Sequence, residues 1–131
     1  MRDVVRSRSV PQITVSTADY QRLTDLATAS LERLPEVAEE LLSEMDRARV
    51  VDPAELPDGV VRMGSTVTFR SGEGQERTLT LVYPAEESID AQRLSVMTPV
   101  GAALIGLSEG QSISWTARDG REHRLTVTKV R

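Results

Sequence analysis

The sequence contains no cysteine, a single histidine and few aromatic residues, which make up 3% of its 131 residues. The absence of cysteine excludes disulfides, thiol nucleophiles and thiolate metal sites. Any Ser-His-Asp triad would have to use His123, which lies in the polar segment REHR, where a solvated side chain is the commoner role. The aromatic residues are too few to line a ring-rich ligand pocket: Tyr20, Phe69, Tyr83 and Trp115.

Long apolar runs and an excess of basic charge are also missing. The first fifteen residues lack the apolar run of a secretory signal, and no stretch approaches the roughly 18 apolar residues of a membrane span. We therefore expect a cytoplasmic protein. The 16 basic and 20 acidic residues give a net charge of −4. Since neither half of the chain is basic, we expect no direct sequence-specific contact with nucleic acid.

Residues 16–50 are predicted to form a short helical hairpin, preceded by a flexible tail over 1–15 that ends in a short extended piece. The spacing of a capping box and apolar residues at helical steps predict a helix over 17–31. Pro35 suits the first position of a second helix, which should end near Val50. Two helices of about 14–15 residues joined by a short loop make an antiparallel hairpin about 21 Å long.

The C-terminal half is predicted to be a β domain. Residues 51–59 contain two prolines, a glycine and three acidic residues, a composition typical of a linker. Over 60–131 apolar and polar residues alternate, which predicts about five half-buried strands in a largely antiparallel sheet. Hairpin turns are expected at 72–74 and 119–120. One short apolar helix, capped by Thr98, should interrupt the strands. The fold class is therefore α+β.

Glu36, Glu40 and Glu44 recur every four residues along the second predicted helix, and Glu32 lies across the hairpin turn. Carboxylates at a helical tip can hold magnesium through their oxygens. A solvated helix face is the commoner reason for such a stripe. On that interpretation we expect no metal site. The glycines form neither a GxGxxG nor a GxxxxGK[ST] phosphate-binding loop, and we expect no cofactor.

Met97 follows a predicted strand and precedes a proline turn. Val96 should point into the core, so strand alternation places Met97 on the other face of the sheet. An exposed methionine beside a proline turn suits a docking edge for another protein. Burial under the helical hairpin, or plain surface scatter, is equally compatible with the pattern.

Two stretches, TLTLVYP at 78–84 and LSVMTPVGAALIGL at 94–107, resemble the Gre transcription-factor superfamily. The similarity extends over about residues 12–130. It implies a coiled-coil hairpin followed by a C-terminal domain of the FK506-binding-protein-like (FKBP-like) fold. It also implies that the protein docks on bacterial RNA polymerase beside its secondary channel.

The resemblance further implies which residues meet the polymerase. The docking turn of Gre factors reads acidic-Ser-Pro, and the matching positions here are Met97, Thr98 and Pro99, followed by Val100. The acidic residue is absent from this chain.

Gre factors stimulate transcript cleavage with two acidic residues, which a long hairpin carries to the catalytic magnesium of the polymerase. The hairpin predicted here is much shorter. Its tip residues Glu32, Arg33 and Glu36 do not match the Gre acidic motif. Among superfamily members with a short hairpin, the resemblance implies a competitor at the channel entrance.

We therefore predict a monomeric, non-enzymatic regulator that binds RNA polymerase through residues 97–100 and competes with Gre factors without stimulating cleavage. The alternative is a cleavage factor that acts through Glu32 and Glu36. A third hypothesis, a peptidyl-prolyl isomerase or small-ligand domain, requires an aromatic pocket, whereas the three rings beyond residue 20 are expected to face the core.

Overall fold

The structure is a computed structural model that describes residues 11–72, 74–116 and 120–131, with the backbone alone at 115 and 116. Several predicted features lie outside the described residues: tail residues 1–10, the turn residues Glu73 and Asp119, and the inward orientation of the Trp115 side chain. Within the described part of the chain, no helix has the length and apolar character needed to cross a membrane.

Two helices form the predicted short hairpin. Helix α1 spans Thr17–Ala29 and helix α2 spans Pro35–Arg47. The Ser16 side chain caps α1 by accepting a hydrogen bond from the Asp19 N–H (3.1 Å), and α2 begins with proline, which suits the first helical position. Each helix has 13 residues, so the hairpin is about 20 Å long at 1.5 Å per residue.

A two-stranded parallel sheet ties together the two chain ends of the hairpin. Strand β1, Thr14–Ser16, directly precedes α1, and strand β2, Arg49–Val51, follows α2. Because β2 pairs with β1 in extended conformation, α2 ends before the predicted Val50. Ile13 and Val15 are buried, so this part of the chain belongs to the core and is not a flexible tail.

Five strands form the main sheet: β3 Thr66–Ser71, β4 Glu76–Val82, β5 Arg93–Ser95, β6 Ser112–Thr116 and β7 Glu122–Val130. Their spatial order is β5-β4-β3-β7-β6. Neighbouring strands are antiparallel except β4 and β5, which are parallel. A short helix, α3, spans Pro99–Leu104 and follows β5. The predicted α+β fold is confirmed.

One hydrophobic core joins the helical hairpin to the sheet. Alternate strand residues such as Val67, Leu81 and Val127 are buried on the inner face of the sheet. Helix α2 packs against α3, and its residues Leu41 and Met45 belong to the same buried cluster as the strand residues. The segment expected to be a linker therefore connects two parts that share a core, and the hairpin is held against the domain.

Candidate docking site

The turn between β5 and α3 is built around the Thr98 side chain. Thr98 caps α3: its Oγ1 accepts a hydrogen bond from the Gly101 N–H (3.0 Å) and donates one to the Ser95 carbonyl (2.8 Å). Pro99 then occupies the first helical position, which its fixed φ suits. Because the Thr98 hydroxyl is engaged as both donor and acceptor within the chain, its role is to shape the turn.

Met97 is buried, with 7% of its surface exposed. Of the alternatives that the sequence pattern leaves open, the structure shows burial and excludes the exposed methionine. Strand alternation fails here because β5 ends at Ser95. The Met97 N–H then donates to Ser95 Oγ (2.9 Å), a local turn in which the side chain packs into the core. Val96 is buried, as predicted.

Pro99 and Val100 are the apolar surface of this turn. Pro99 is exposed, and Val100 is half-buried, as is Thr98. The turn lies close to the end of β5, because a Cβ added to Gly101 would lie 2.3 Å from the Ser95 carbonyl oxygen. A fixed apolar turn of this kind suits contact with another protein, since little conformational entropy is lost on binding.

The hairpin tip is a second, separate surface. Glu32 and Arg33 are exposed in the turn between α1 and α2, and Glu36 is exposed in the first turn of α2. The turn is closed by a hydrogen bond from the Leu34 N–H to the Ser30 carbonyl (2.8 Å). Over the described ranges, no group of three or more His, Cys, Asp or Glu side chains is placed to hold a metal ion.

Glu44 is 1% exposed, so the prediction of a solvated acidic face is wrong at this position. Arg47 donates to both of its carboxylate oxygens (2.7 and 3.1 Å) and also to the Pro11 carbonyl. This ion pair fastens the chain before β1 to the end of α2. The burial of Glu44 could not be predicted from its four-residue spacing with Glu36 and Glu40, because burial depends on the chain segment that covers the helix.

Polar contacts also fix α1 to the segments that precede β3 and follow β4. The Asp19 carboxylate accepts a hydrogen bond from the Met63 N–H (3.2 Å), and the Arg22 guanidinium lies over the Tyr83 ring, 4.0 Å from its centroid. Burial, reinforced by the negative charge of Asp19, raises the pKa of the Tyr83 phenol. The hairpin therefore has a defined direction relative to the docking turn. Sequence reasoning missed Arg22 and assigned Asp19 only to helix capping.

The histidine and the aromatic rings that the sequence offers for catalysis or ligand binding are not assembled into one site. His123 is exposed on β7. Phe69 is buried in the core, and Tyr83 is half-buried beneath Arg22, so neither ring is placed to line a proline-binding pocket.

Two family models match the chain. The model for the C-terminal part of transcription elongation factor GreA/GreB matches residues 56–131, and the model for the Rnk N-terminus matches residues 11–51. The regulator of nucleoside diphosphate kinase from Escherichia coli strain K12 is 40% identical over 123 residues, which cover 93% of this chain and 90% of that protein.

Gre factors themselves are also similar. Transcription elongation factor GreA from Cereibacter sphaeroides strain ATCC 17023 is 40% identical over 93 residues, or 70% of this chain and 60% of that protein. The solved structure of a prokaryotic transcription elongation factor GreA/GreB from Nitrosomonas europaea has a TM-score of 0.72 at 38% identity, covering 91% of this chain and 98% of that chain.

Proposed function

Because the chain belongs to the Gre transcription-factor superfamily and has a Rnk N-terminus, we propose that it regulates transcription by binding bacterial RNA polymerase beside the secondary channel. The observation that carries the proposal is the exposed Pro99 on a fixed turn, within the stretch that resembles the Gre docking turn. Thr98 shapes this turn, Val100 extends its apolar surface, and the buried Met97 supports it from below.

Binding through this turn places the short hairpin at the channel mouth, with Glu32, Arg33 and Glu36 at its tip. The protein then acts as a non-enzymatic competitor, since a Gre factor and this chain cannot occupy one site together. We propose that it does so as a cytoplasmic monomer without a cofactor. On this proposal, any influence on nucleoside diphosphate kinase, for which the E. coli relative is named, is transcriptional.

Pro99→Asp should weaken polymerase binding by about tenfold or more, because it places a charge in the centre of an apolar contact. Thermal unfolding should stay cooperative, since Pro99 is exposed and an aspartate suits the first turn of a helix. As the chain has no native cysteine, a fluorophore on Glu122→Cys, on β7, reports binding by anisotropy. The complex should dissociate when an unlabelled Gre factor is added.

The matched control is Val50→Asp, which puts the same charge on an exposed aliphatic position of β2. It should bind as the wild type does. If Pro99→Asp binds the polymerase as tightly as the wild type does, the docking turn is not the contact. If the Gre factor does not displace the protein, the two do not share a site.

The exposure of Glu32 and Glu36 at the hairpin tip favours a second candidate function, stimulation of transcript cleavage. With a hairpin of about 20 Å, we expect too short a reach for this. Stalled elongation complexes given the protein should therefore yield no shortened transcripts, whereas a Gre factor in parallel should produce them. Cleavage that disappears in the Glu32→Gln, Glu36→Gln double variant would establish the second function instead.

A further inference from the structure

Ile89 is the most exposed large apolar side chain in the described part of the chain. It is 90% exposed, compared with 44% for Leu34 and 40% for Val50. It lies in the loop that leads into β5. An aliphatic side chain left in water contributes almost nothing to folding, whereas its burial against a partner is favourable.

The loop that presents Ile89 is held in one conformation. Ser88 and Arg93 exchange a pair of backbone hydrogen bonds (3.1 and 2.8 Å), and the Gln92 N–H donates to the Ile89 carbonyl (3.0 Å). Gln92 closes the turn with φ of 59°, a left-handed conformation that is uncommon outside glycine. Since strained turns cluster at functional sites, this conformation supports a functional role for the loop.

A groove of about 340 Å³ opens beside Ile89, between β4 and the loop. Its lining includes two apolar, two basic and two acidic residues: Leu79, Leu94, Arg77, Arg93, Glu76 and Glu87. Ile89 projects next to the groove, and a partner protein can be complementary in shape to such a surface.

Acidic residues outnumber basic residues around Ile89 by four to two: Glu76, Glu86, Glu87 and Asp90 against Arg77 and Arg93. Glu86, Glu87 and Asp90 are exposed, which gives three negative charges within residues 86–90. An apolar projection among carboxylates is complementary to an apolar socket flanked by lysine or arginine. The docking turn at the other end of β5 has no acidic residue, because the buried Met97 stands at the acidic position of Gre factors.

We propose that Ile89 is the apolar anchor of a second contact with the same partner protein, whose surface offers a socket flanked by basic residues. This inference rests on the proposed function, in which that partner is RNA polymerase. Strand β5 separates the two contacts and is only about 10 Å long at its three residues. A typical interface of about 800 Å² per partner is roughly 30 Å across, which is wide enough for one partner to cover both ends of β5.

The test uses the same anisotropy titration with polymerase. Ile89→Ala should raise the Kd about tenfold or more, as expected for an anchor buried in an interface. Asp90→Lys should also raise the Kd at low salt, and this loss should shrink as salt screens the reversed charge. Val50→Ala, which truncates an exposed aliphatic residue on β2, is the matched control and should bind normally. All three variants should stay folded and unfold cooperatively, with at most a small change in Tm.

The outcomes separate this inference from the proposed function. If Ile89→Ala binds as tightly as the wild type does while Pro99→Asp binds weakly, the second contact is overturned and the first stays in place. A loss in Asp90→Lys that salt does not relieve would overturn the assignment of a basic partner surface. No saturable binding of the wild-type protein would overturn both proposals.

Discussion

Gly101→Ala is expected to lower the free energy of unfolding by about 3 kcal/mol, although alanine is the better helix former by about 1 kcal/mol. Gly101 lies in α3, and a Cβ there would be 2.3 Å from the Ser95 carbonyl oxygen and 2.8 Å from Val96 Cα. Both are backbone atoms at the end of β5, so they cannot yield as the end of a flexible side chain can. Steric overlap therefore outweighs the gain in helix propensity.

Thermal unfolding gives the measurement, and a loss of this size corresponds to a fall in Tm of about 10 °C. Ser43→Ala, at an exposed position of α2, is the matched control, because it makes a helix-favouring change where nothing is crowded. It should leave the Tm unchanged or raise it slightly. If Gly101→Ala is as stable as the wild type, then α3 does not lie this close to β5, and the docking turn is not fixed as described.

Ile13→Ala is expected to lower the free energy of unfolding by about 3 kcal/mol. Ile13 is fully buried, and its carbonyl accepts a hydrogen bond from the Arg49 N–H (2.9 Å). The next residue, Thr14, donates its N–H to the Gly106 carbonyl (3.1 Å). Gly106 has φ of +82°, and a Cβ on it would lie 2.9 Å from Ile13 Cβ. The segment before α1 is thus packed tightly against the chain that follows α3.

In urea unfolding, this loss should appear as a lower transition midpoint, while the slope of the free energy of unfolding against urea concentration stays unchanged. Val50→Ala is the control, since Val50 pairs with Val15 in the small sheet but is itself 40% exposed. It should lower the midpoint only slightly. An unchanged midpoint for Ile13→Ala would mean that residues 11–15 are not packed in the core and behave as part of the flexible tail that the sequence pattern predicts.

The candidate docking site could be predicted in part. The cap formed by Thr98 and the proline after it are local signals, so the turn and the start of α3 follow from the sequence. The burial of Met97 does not follow from the sequence, because strand alternation no longer applies beyond Ser95, the last residue of β5. The exposure of Ile89, on which the proposed second contact rests, was not predicted either, although an isoleucine among acidic residues in a turn-forming segment is a signal that sequence reasoning can use.

The sequence by itself determined the helices and most of the strands of this protein, with β2 as the exception. Ser16 and Pro35 mark the helix starts, and alternation such as Val67 with Phe69 marks the strands, because capping and periodicity depend on residues only a few positions apart. Only the tertiary structure decided the burial of Ile13 and Glu44, since distant chain segments cover both. Pairing of β1 with β2, across the whole hairpin, likewise depends on long-range contacts that no local pattern encodes.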